Sequence, residues 1–186
     1  MADISSTPLL LHTCCGPCAS GCLPRLKDRE TVLYFSNSNL IDRGEYEKRL
    51  KAAETLALAY HVELLTDPYD HDAWLASIHQ LEHAETYPEK GLRCRYCFAY
   101  SLGRTAEKAA ELNMNFATSL TVSPHKNSKL IFEIGGQYAH FEPLDFKKQN
   151  GFALSIAESK RLELYRQNFC GCEFSLRNQN VTQGVN

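Results

Sequence analysis

The stretch Leu9-Leu-Leu-His-Thr-Cys-Cys-Gly-Pro-Cys18 decides the fold. Residues 9–12 form a short apolar run that ends at the cysteines, as expected for a buried strand. Pro17 suits the first turn of a helix, which we predict over residues 17–27. The stretch therefore predicts a strand, a tight turn at Gly16 and Pro17, and a helix.

The same alternation of strand and helix patterns continues along the chain. Further strands are predicted over residues 31–35, 62–65 and 116–120. Helices are predicted over residues 45–60, around Trp74, Ile78 and Leu81, over residues 94–112 and 127–138, and from the capping box Ser155-Ile-Ala-Glu158 through Ile156, Leu162, Leu164 and Tyr165. This order predicts an α/β fold with a mostly parallel sheet, helices on both faces and a site at the carboxyl ends of the strands.

We expect one catalytic domain over residues 1–177 and a disordered tail over residues 178–186. The stretch between Thr66 and Arg93 is the only candidate for a separate helical lobe. The chain of 186 residues is 44% hydrophobic, which is enough for a sizeable core. No export signal and no run of roughly 18 apolar residues is present, so we expect a soluble, cytoplasmic protein that does not bind membranes.

The formal net charge is −2, so any nucleic acid must be bound by a local basic patch. Candidate residues for such a patch are concentrated in the second half of the chain, and solvated side chains are the alternative interpretation. They are Lys126, Lys129, Lys147, Lys148, Lys160, Arg161 and Arg166.

The eight cysteines suggest either a disulfide framework or a set of metal and redox ligands. Their positions favour the second interpretation, because they fall in tight groups separated by long stretches with helical patterning, in a chain with no export signal. The groups are Cys14, Cys15, Cys18 and Cys22, then Cys94 and Cys97, then Cys170 and Cys172.

The first group lies between the first strand and the first helix. A helix amino terminus favours thiolates, which suits metal binding or nucleophilic chemistry alike. Cys15-Gly-Pro-Cys18 also matches the active-site tetrapeptide of thioredoxin-like oxidoreductases, but that interpretation leaves Cys14 and the later pairs unexplained. We expect Cys22 to be a small buried residue, whereas Cys18 stays open between a ligand and a buried thiol.

The second pair, Cys94 and Cys97, lies at the start of a predicted helix and shares one of its faces. Together with Cys14 and Cys15 it makes a four-thiolate set, which suits either a structural zinc or an iron–sulfur cluster. Arg93 and neighbouring Arg95 would either offset the negative charge of such a centre or be solvated.

The third pair, Cys170-Gly171-Cys172, follows the last predicted helix, and Gly171 gives the backbone the freedom that a Cys-x-Cys ring requires. A disulfide across so short a loop would be strained and easily reduced, as in a catalytic or electron-relay couple. Two further metal ligands, or two inert thiols, are the alternatives.

Five motifs, in order over residues 9–177, resemble the QueH family of epoxyqueuosine reductases. One segment, Phe35-Ser-Asn-Ser-Asn39, departs from the Tyr-Asn-Pro-Asn of the family pattern. The matching motifs are His12-Thr-Cys-Cys-Gly-Pro-Cys18, Glu45-Tyr-x-x-Arg49, Gly91-x-Arg-Cys-x-x-Cys97, Leu120-Thr-Val-Ser-Pro-x-Lys-Asn127 and Tyr165-Arg-Gln-x-x-Cys-Gly-Cys172.

The resemblance implies a three-layer, HUP-type Rossmann-like fold without a phosphate loop, and a reaction that needs no ATP. It also implies reductive removal of the epoxide oxygen of epoxyqueuosine, at the wobble position of a tRNA anticodon, to give queuosine. The implied cofactor is a 4Fe-4S cluster bound by Cys14, Cys15, Cys94 and Cys97, and Cys170 with Cys172 would form a redox-active disulfide. Whether a further metal ion lies beside the cluster, and which electron donor serves the enzyme, stay open.

An epoxide reduction needs an acid to protonate the leaving oxygen. The candidates are His12, Asp42, Glu45 and Tyr46, and a buried structural role is an equal alternative for each. Other functional hypotheses are a cluster-dependent tRNA thiolation enzyme, which would need ATP, a zinc-bound RNA-binding module without catalysis, and a thioredoxin-like reductase.

Overall fold

The computed structural model describes residues 7–175, so the predicted tail over residues 178–186 lies outside the described residues. The strands are β1 (Leu9–Thr13), β2 (Thr31–Phe35), β3 (Glu63–Thr66) and β4 (Asn115–Thr118). The α-helices are α1 (Gly16–Ser20), α2 (Arg43–Tyr60), α3 (His71–Ile78), α4 (Leu92–Leu112), α5 (Ser128–Gly135) and α6 (Gly151–Arg161). Short 3₁₀ turns span Leu23–Arg25, Ala84–Thr86 and Ser119–Val122.

The four strands form one parallel sheet in the order β3-β2-β1-β4. Within it Leu11 of β1 pairs with Leu33 of β2 on one side and with Ala117 of β4 on the other. Because β2 and β4 lie on opposite sides of β1, a crevice opens at the carboxyl ends of β1 and β4. The predicted α/β fold is confirmed, and its site is expected at this crevice.

Helices cover both faces of the sheet because successive side chains of a strand point to opposite sides. Leu9 and Leu11 pack in one core with Ala52 of α2, and Leu10 packs in the other with Leu102 of α4 and residues of α5. Helix α6 packs against α1 on the first face. None of the helices within residues 7–175 combines the length and apolar character that a membrane crossing requires.

Helix α1 lies unusually close to α2 at Gly16. A Cβ atom at this position would lie 2.5 Å from the carbonyl oxygen of Ala52, which is shorter than any normal contact. Glycine therefore allows the turn between Cys15 and Pro17 to press against α2, and this packing fixes the position of the first cysteine group.

The first helix is shorter than predicted. We expected helix over residues 17–27, but α1 ends at Ser20 and a separate 3₁₀ turn follows. Pro24 lies in that turn, where it cannot donate the hydrogen bond that a continuing helix would need. The strand predicted over residues 116–120 also ends early, at Thr118, whose hydroxyl accepts a hydrogen bond from the Leu120 N–H and begins the next turn.

The capping box predicted for the last helix is wrong. Helix α6 begins at Gly151, so Ser155 lies inside it, and its hydroxyl accepts a hydrogen bond from Arg166 instead of capping. The helix ends at Arg161, and the predicted members Leu162, Leu164 and Tyr165 lie beyond it. The chain turns there because Glu163 has a positive φ of 52°.

The stretch between β3 and α4 packs onto the rest of the molecule. Helix α3 contacts α4 and ends at Ile78, so Leu81 lies outside the helix predicted around it. Trp74 and Ile78 share an apolar cluster with Phe174, near the end of the described chain. This cluster brings α3 beside the third cysteine pair.

Candidate functional site

A cavity of about 530 Å³ lies at the carboxyl ends of the strands, beside β1 and β4. Its wall includes His12 at the end of β1, and Leu120 and Val122 after β4. Members of all three cysteine groups face it. They are Cys14, Cys15, Cys18, Cys94, Cys97 and Cys170.

The first group forms a compact set of thiols. The sulfur atoms of Cys14, Cys15 and Cys18 all lie within 4.8 Å of one another, and those of Cys14 and Cys15 are 3.9 Å apart. The structure therefore places Cys18 with the two predicted ligands. Cys22 is fully buried in the apolar core below, as expected.

Hydrogen bonds within this set divide the thiols into one thiolate and two protonated partners. Hydrogen bonding with Cys15 and Cys18 lowers the pKa of Cys14 well below its usual value. Hydrogen bonding with Cys14 raises the pKa of Cys15 to about 12 and also raises the pKa of Cys18 well above its ordinary value. A metal bound by all three sulfurs would therefore release the protons of Cys15 and Cys18.

The second pair faces the same cavity from the first two turns of α4. The backbone N–H of Lys90 donates to the Cys94 sulfur at 3.3 Å. Burial raises the pKa of Cys94, although Lys90 and the charge of Arg93 act in the opposite direction. Burial also raises the pKa of Cys97 to about 12.

Two observations fit a metal–sulfur group in this cavity. The donors are all thiols, which are soft ligands that suit iron–sulfur clusters and zinc. The indole nitrogen of Trp74 is also buried without a hydrogen-bond partner among the described residues. It lies close enough to Cys97 to lower the pKa of that thiol, without completing a hydrogen bond, so an anionic sulfur there would give it an acceptor.

The third pair has one member at the cavity and one behind it. Cys170 lines the cavity, whereas Cys172 is only 8% exposed and packs with Trp74 and Phe174. Their hydrogen bond lowers the pKa of Cys170 to about 6 and raises that of Cys172. A thiolate beside a thiol is the arrangement of a reduced dithiol couple.

The charge of Lys126, which lines the cavity, lowers the pKa of both Cys14 and Cys170. Burial lowers the pKa of Lys126, but the negative charges of Cys14 and Cys170 outweigh it and keep the amine protonated. Sequence reasoning named Lys126 only as a candidate for tRNA binding. Its place in the segment after β4, at the carboxyl edge of the sheet, was the available signal for a role inside the cavity.

His12 is the candidate acid that lines the cavity, and both its ring nitrogens are engaged. Nδ1 lies 2.8 Å from the Thr118 hydroxyl and Nε2 lies 3.2 Å from the Ser36 carbonyl oxygen. Because a carbonyl only accepts, Nε2 carries the proton. Burial lowers the pKa of His12, so the ring is a neutral link between β1, β2 and β4.

The other candidate acids lie outside the cavity wall. Asp42 caps α2 by accepting from the Gly44 N–H at 2.7 Å. Glu45 accepts hydrogen bonds from Arg49 and Tyr165 through its two oxygens. Tyr46 is 3% exposed and packs against neighbouring aromatic rings. Each of these three side chains therefore has the structural role that sequence reasoning left as the alternative.

The two arginines beside the second pair are not free in solvent. Arg93 is buried, donates to the Ala84 carbonyl at 3.0 Å, and lies 4.5 Å from the Phe174 ring centre. Arg95 pairs with Glu133 at 2.6 Å and does not line the cavity. Of the two, Arg93 is the one whose charge lowers the pKa of Cys94.

The loop after β2 supports the first cysteine group. Asn37 and Asn39 line the cavity, and the Asn37 side-chain amide donates to the Cys14 carbonyl. The Ser38 hydroxyl accepts from the Asp70 N–H at 3.1 Å, which ties the loop to the start of α3. The departure from the family pattern thus falls on a loop that touches the site.

A family model described as "Epoxyqueuosine reductase QueH" matches residues 9–178. Proteins named epoxyqueuosine reductase QueH from Streptococcus pyogenes serotype M1, Acinetobacter baylyi and Thermotoga maritima are 34%, 32% and 30% identical to this chain. The first match covers 93% of this chain and 72% of the relative, the second 92% and 82%, and the third 90% of each.

Proposed function

This chain belongs to the QueH family of epoxyqueuosine reductases, and we propose that it is the oxidoreductase that converts epoxyqueuosine in tRNA to queuosine. The observation that supports this proposal is the single cavity faced by all three cysteine groups. The reaction takes up two electrons and two protons, because the epoxide becomes a carbon–carbon double bond and its oxygen leaves as water.

We propose that Cys14, Cys15, Cys94 and Cys97 bind a 4Fe-4S cluster. When bound, such a cluster supplies electrons one at a time, and because four cysteines would occupy all four irons, stabilisation of the leaving oxygen falls to the side chains of the cavity. Cys18 lies in the same compact set of sulfurs and is the candidate ligand for a further metal ion. The buried Trp74 N–H, which has no hydrogen-bond acceptor within residues 7–175, supports a thiolate at Cys97.

We propose that Cys170 and Cys172 store the two electrons of the reaction. Oxidation of the Cys170 thiolate and the Cys172 thiol to a disulfide releases the two electrons that the epoxide takes up and one of its two protons. The protonated Lys126 supplies the other proton. The thiolate form of Cys170, at the cavity, supports this role. An external reductant, still unidentified, then returns the disulfide to two thiols.

Lys126 is our candidate for stabilising and protonating the leaving oxygen. It lines the cavity, and the negative charges of Cys14 and Cys170 raise its pKa, so it carries a proton at neutral pH. A cation there favours the negative charge that develops as the C–O bond breaks. His12 is less suited, because its proton is already donated to the Ser36 carbonyl.

The tRNA would approach the open side of the cavity. Arg166 and Lys126 line it, and Phe152, which is 36% exposed, presents an aromatic surface at the same wall. Exposed aromatic side chains can stack on unpaired bases such as those of an anticodon loop. Of the other predicted basic residues, Lys129, Lys148 and Lys160 are exposed, whereas Arg161 is paired with Glu158.

The test is an anaerobic incubation of metal-loaded protein with epoxyqueuosine-containing tRNA and a chemical reductant, followed by mass analysis of the released nucleosides. We expect epoxyqueuosine to lose one oxygen atom and yield queuosine, without ATP. A nucleoside that gains sulfur in the presence of ATP would instead identify a thiolation enzyme. Unchanged nucleosides, from protein that binds tRNA and zinc, would identify a binding module.

A further inference from the structure

The backbone of the third cysteine pair is held by one buried arginine. Arg49 of α2 is 4% exposed, and its guanidinium donates to the carbonyl oxygens of Cys170 at 3.0 Å and Phe169 at 3.2 Å. These partners lie 121 and 120 residues away in the chain. A single side chain of α2 therefore fixes the segment that carries Cys170 to the cavity.

The arginine is itself held in one orientation. Its Nε donates to Glu45 at 2.7 Å, and the second oxygen of Glu45 accepts from the Tyr165 hydroxyl at 2.7 Å. The Arg49 and Glu45 side chains are only 5% and 6% exposed. Because an arginine presents its donors in a rigid planar fork, one bond to Glu45 fixes the direction of the two bonds to the carbonyls.

The residue between the two cysteines is pressed against this arginine. Gly171 has a φ of 98°, and a Cβ there would lie 2.5 Å from Leu40 and 3.0 Å from an Arg49 nitrogen. Its carbonyl also accepts from the Ile41 N–H at 3.2 Å. The Cys-Gly-Cys backbone is thus bound on both sides by the region from Leu40 to Arg49.

Burying an ion pair is a weak source of stability, because desolvation offsets most of the attraction. The pair instead places donors at the two carbonyls that flank the Cα of Cys170 in the chain. We propose that Arg49 is a positioning residue for the thiol pair, holding the Cys170 sulfur at the cavity and within bonding reach of Cys172. This inference rests on the proposed function in treating the pair as a redox couple.

The consequence concerns the equilibrium between two thiols and a disulfide. Forming the bond oxidises both sulfurs, passes two electrons to the oxidised dithiothreitol of the redox buffer and releases the proton of Cys172. A held backbone keeps one sulfur at a high effective concentration near the other, which favours the disulfide. Loosening the segment should therefore disfavour the disulfide without changing either sulfur.

The test variant is Arg49→Lys, which keeps the positive charge for Glu45 but cannot also bind two carbonyls. Anaerobic, metal-loaded protein is equilibrated in dithiothreitol redox buffers, its thiols are trapped, and the disulfide fraction of the Cys170–Cys172 peptide is measured. We expect the disulfide equilibrium constant to fall about tenfold, equivalent to about 30 mV for this two-electron couple. Iron content should stay that of the unmodified protein.

The matched control is Arg29→Lys, because Arg29 likewise forms an ion pair with little exposure to solvent. Arg29 binds Glu142 through both terminal nitrogens and the Thr7 carbonyl through Nε, with the ion pair 11% and 12% exposed. Its variant should lose stability without moving the disulfide equilibrium. An unchanged equilibrium in Arg49→Lys, or an equal shift in Arg29→Lys, would overturn the proposal.

If Arg49→Lys does not fold, Tyr165→Phe decides the question, because it removes only the hydroxyl that holds Glu45. A smaller shift in the same direction supports the proposal, and no shift overturns it. Failure of this proposal and failure of the proposed function give different results. A shifted equilibrium in a protein that leaves epoxyqueuosine unchanged contradicts only the reaction, whereas an unchanged equilibrium in an active enzyme contradicts only the role of Arg49.

Discussion

Cys14 and Cys170 are the two thiols whose pKa is lowered, and in each case the main cause is a neighbouring thiol. Hydrogen bonding with Cys15 and Cys18 lowers the pKa of Cys14, and hydrogen bonding with Cys172 lowers the pKa of Cys170. Each group therefore combines one thiolate with protonated partners, and Lys126 faces both thiolates. Metal uptake and disulfide formation both release the partners' protons, so both reactions should be favoured as the pH rises.

Trp74 provides a prediction at the residue scale. Replacing it by phenylalanine keeps an aromatic side chain but removes the N–H beside Cys97. Because hydrogen bonds to ligand sulfurs stabilise the reduced cluster, we expect Trp74→Phe to lower the midpoint potential of the bound cluster while iron content stays the same. Potentiometry monitored by electron paramagnetic resonance measures this change.

The control for Trp74 is Phe174→Leu, which alters the same apolar cluster without removing a hydrogen-bond donor. It should leave the potential near that of the unmodified protein. Equal shifts in the two variants would mean that packing, and not the indole N–H, sets the potential.

The residues that act on the cysteines could not be predicted as a set from the sequence. The cysteine spacings pointed to a metal or redox site, and all three groups do meet at one cavity. The roles of Trp74, Arg49 and Asn37 arise from contacts between distant parts of the chain, for which local spacing carries no signal. The candidate acids show the same difficulty. A carboxylate in a sequence motif looks the same whether it binds substrate or binds an arginine, as Glu45 does.

At the scale of elements, the existence and type of each strand and helix followed from periodicity, whereas several ends did not. Side chains of a strand alternate between its two faces, and side chains of a helix return to the same face about once per turn. The interior of each element therefore carries a periodic pattern of apolar residues. The ends of an element depend on single residues. Ser155 and Glu158, for example, have the spacing of a capping box but lie inside α6. The helix starts earlier because Gly151 can pack against Phe146, where a Cβ would collide with the backbone.

Gly16 links the contact between α1 and α2 to the position of the first cysteine group. In Gly16→Ala the new Cβ would meet the Ala52 carbonyl, so α1 must move away from α2. Overpacking of this kind costs about 1–3 kcal/mol, and the displaced turn carries Cys14 and Cys15. We expect lower thermal stability together with a loss of bound iron, measured by calorimetry and iron analysis.

Gly44→Ala is the control, because that glycine lies in the first turn of α2 and a Cβ there approaches only the Asp42 side chain, at 3.2 Å. Its iron content should be normal. If Gly16→Ala bound iron as well as this control, the close packing of α1 on α2 would not be what positions the first cysteine group.

At the scale of the whole molecule, the net charge of −2 must be overcome locally for tRNA to bind. Each phosphate contact contributes a slope of roughly −0.7 to −0.9 in log affinity against log salt. We therefore expect affinity to fall steeply with salt, and Arg166→Gln, which removes an exposed cation that lines the cavity, to make the slope shallower. Filter binding over a series of salt concentrations measures both effects.

Lys51→Gln is the control for charge alone, because Lys51 is 79% exposed on α2 and does not line the cavity. It should leave the slope unchanged. Affinity that stays constant across a severalfold rise in salt would contradict electrostatic binding altogether.

We propose that one cavity joins two cysteine sets with different tasks, one binding a cluster and one storing electrons. The most direct measurement is iron per protein, together with queuosine formed per protein, for Cys97→Ser and Cys172→Ser. We predict that Cys97→Ser loses both iron and activity, whereas Cys172→Ser retains iron and loses turnover. Loss of iron in Cys172→Ser, or full activity in that variant, would contradict the division of tasks.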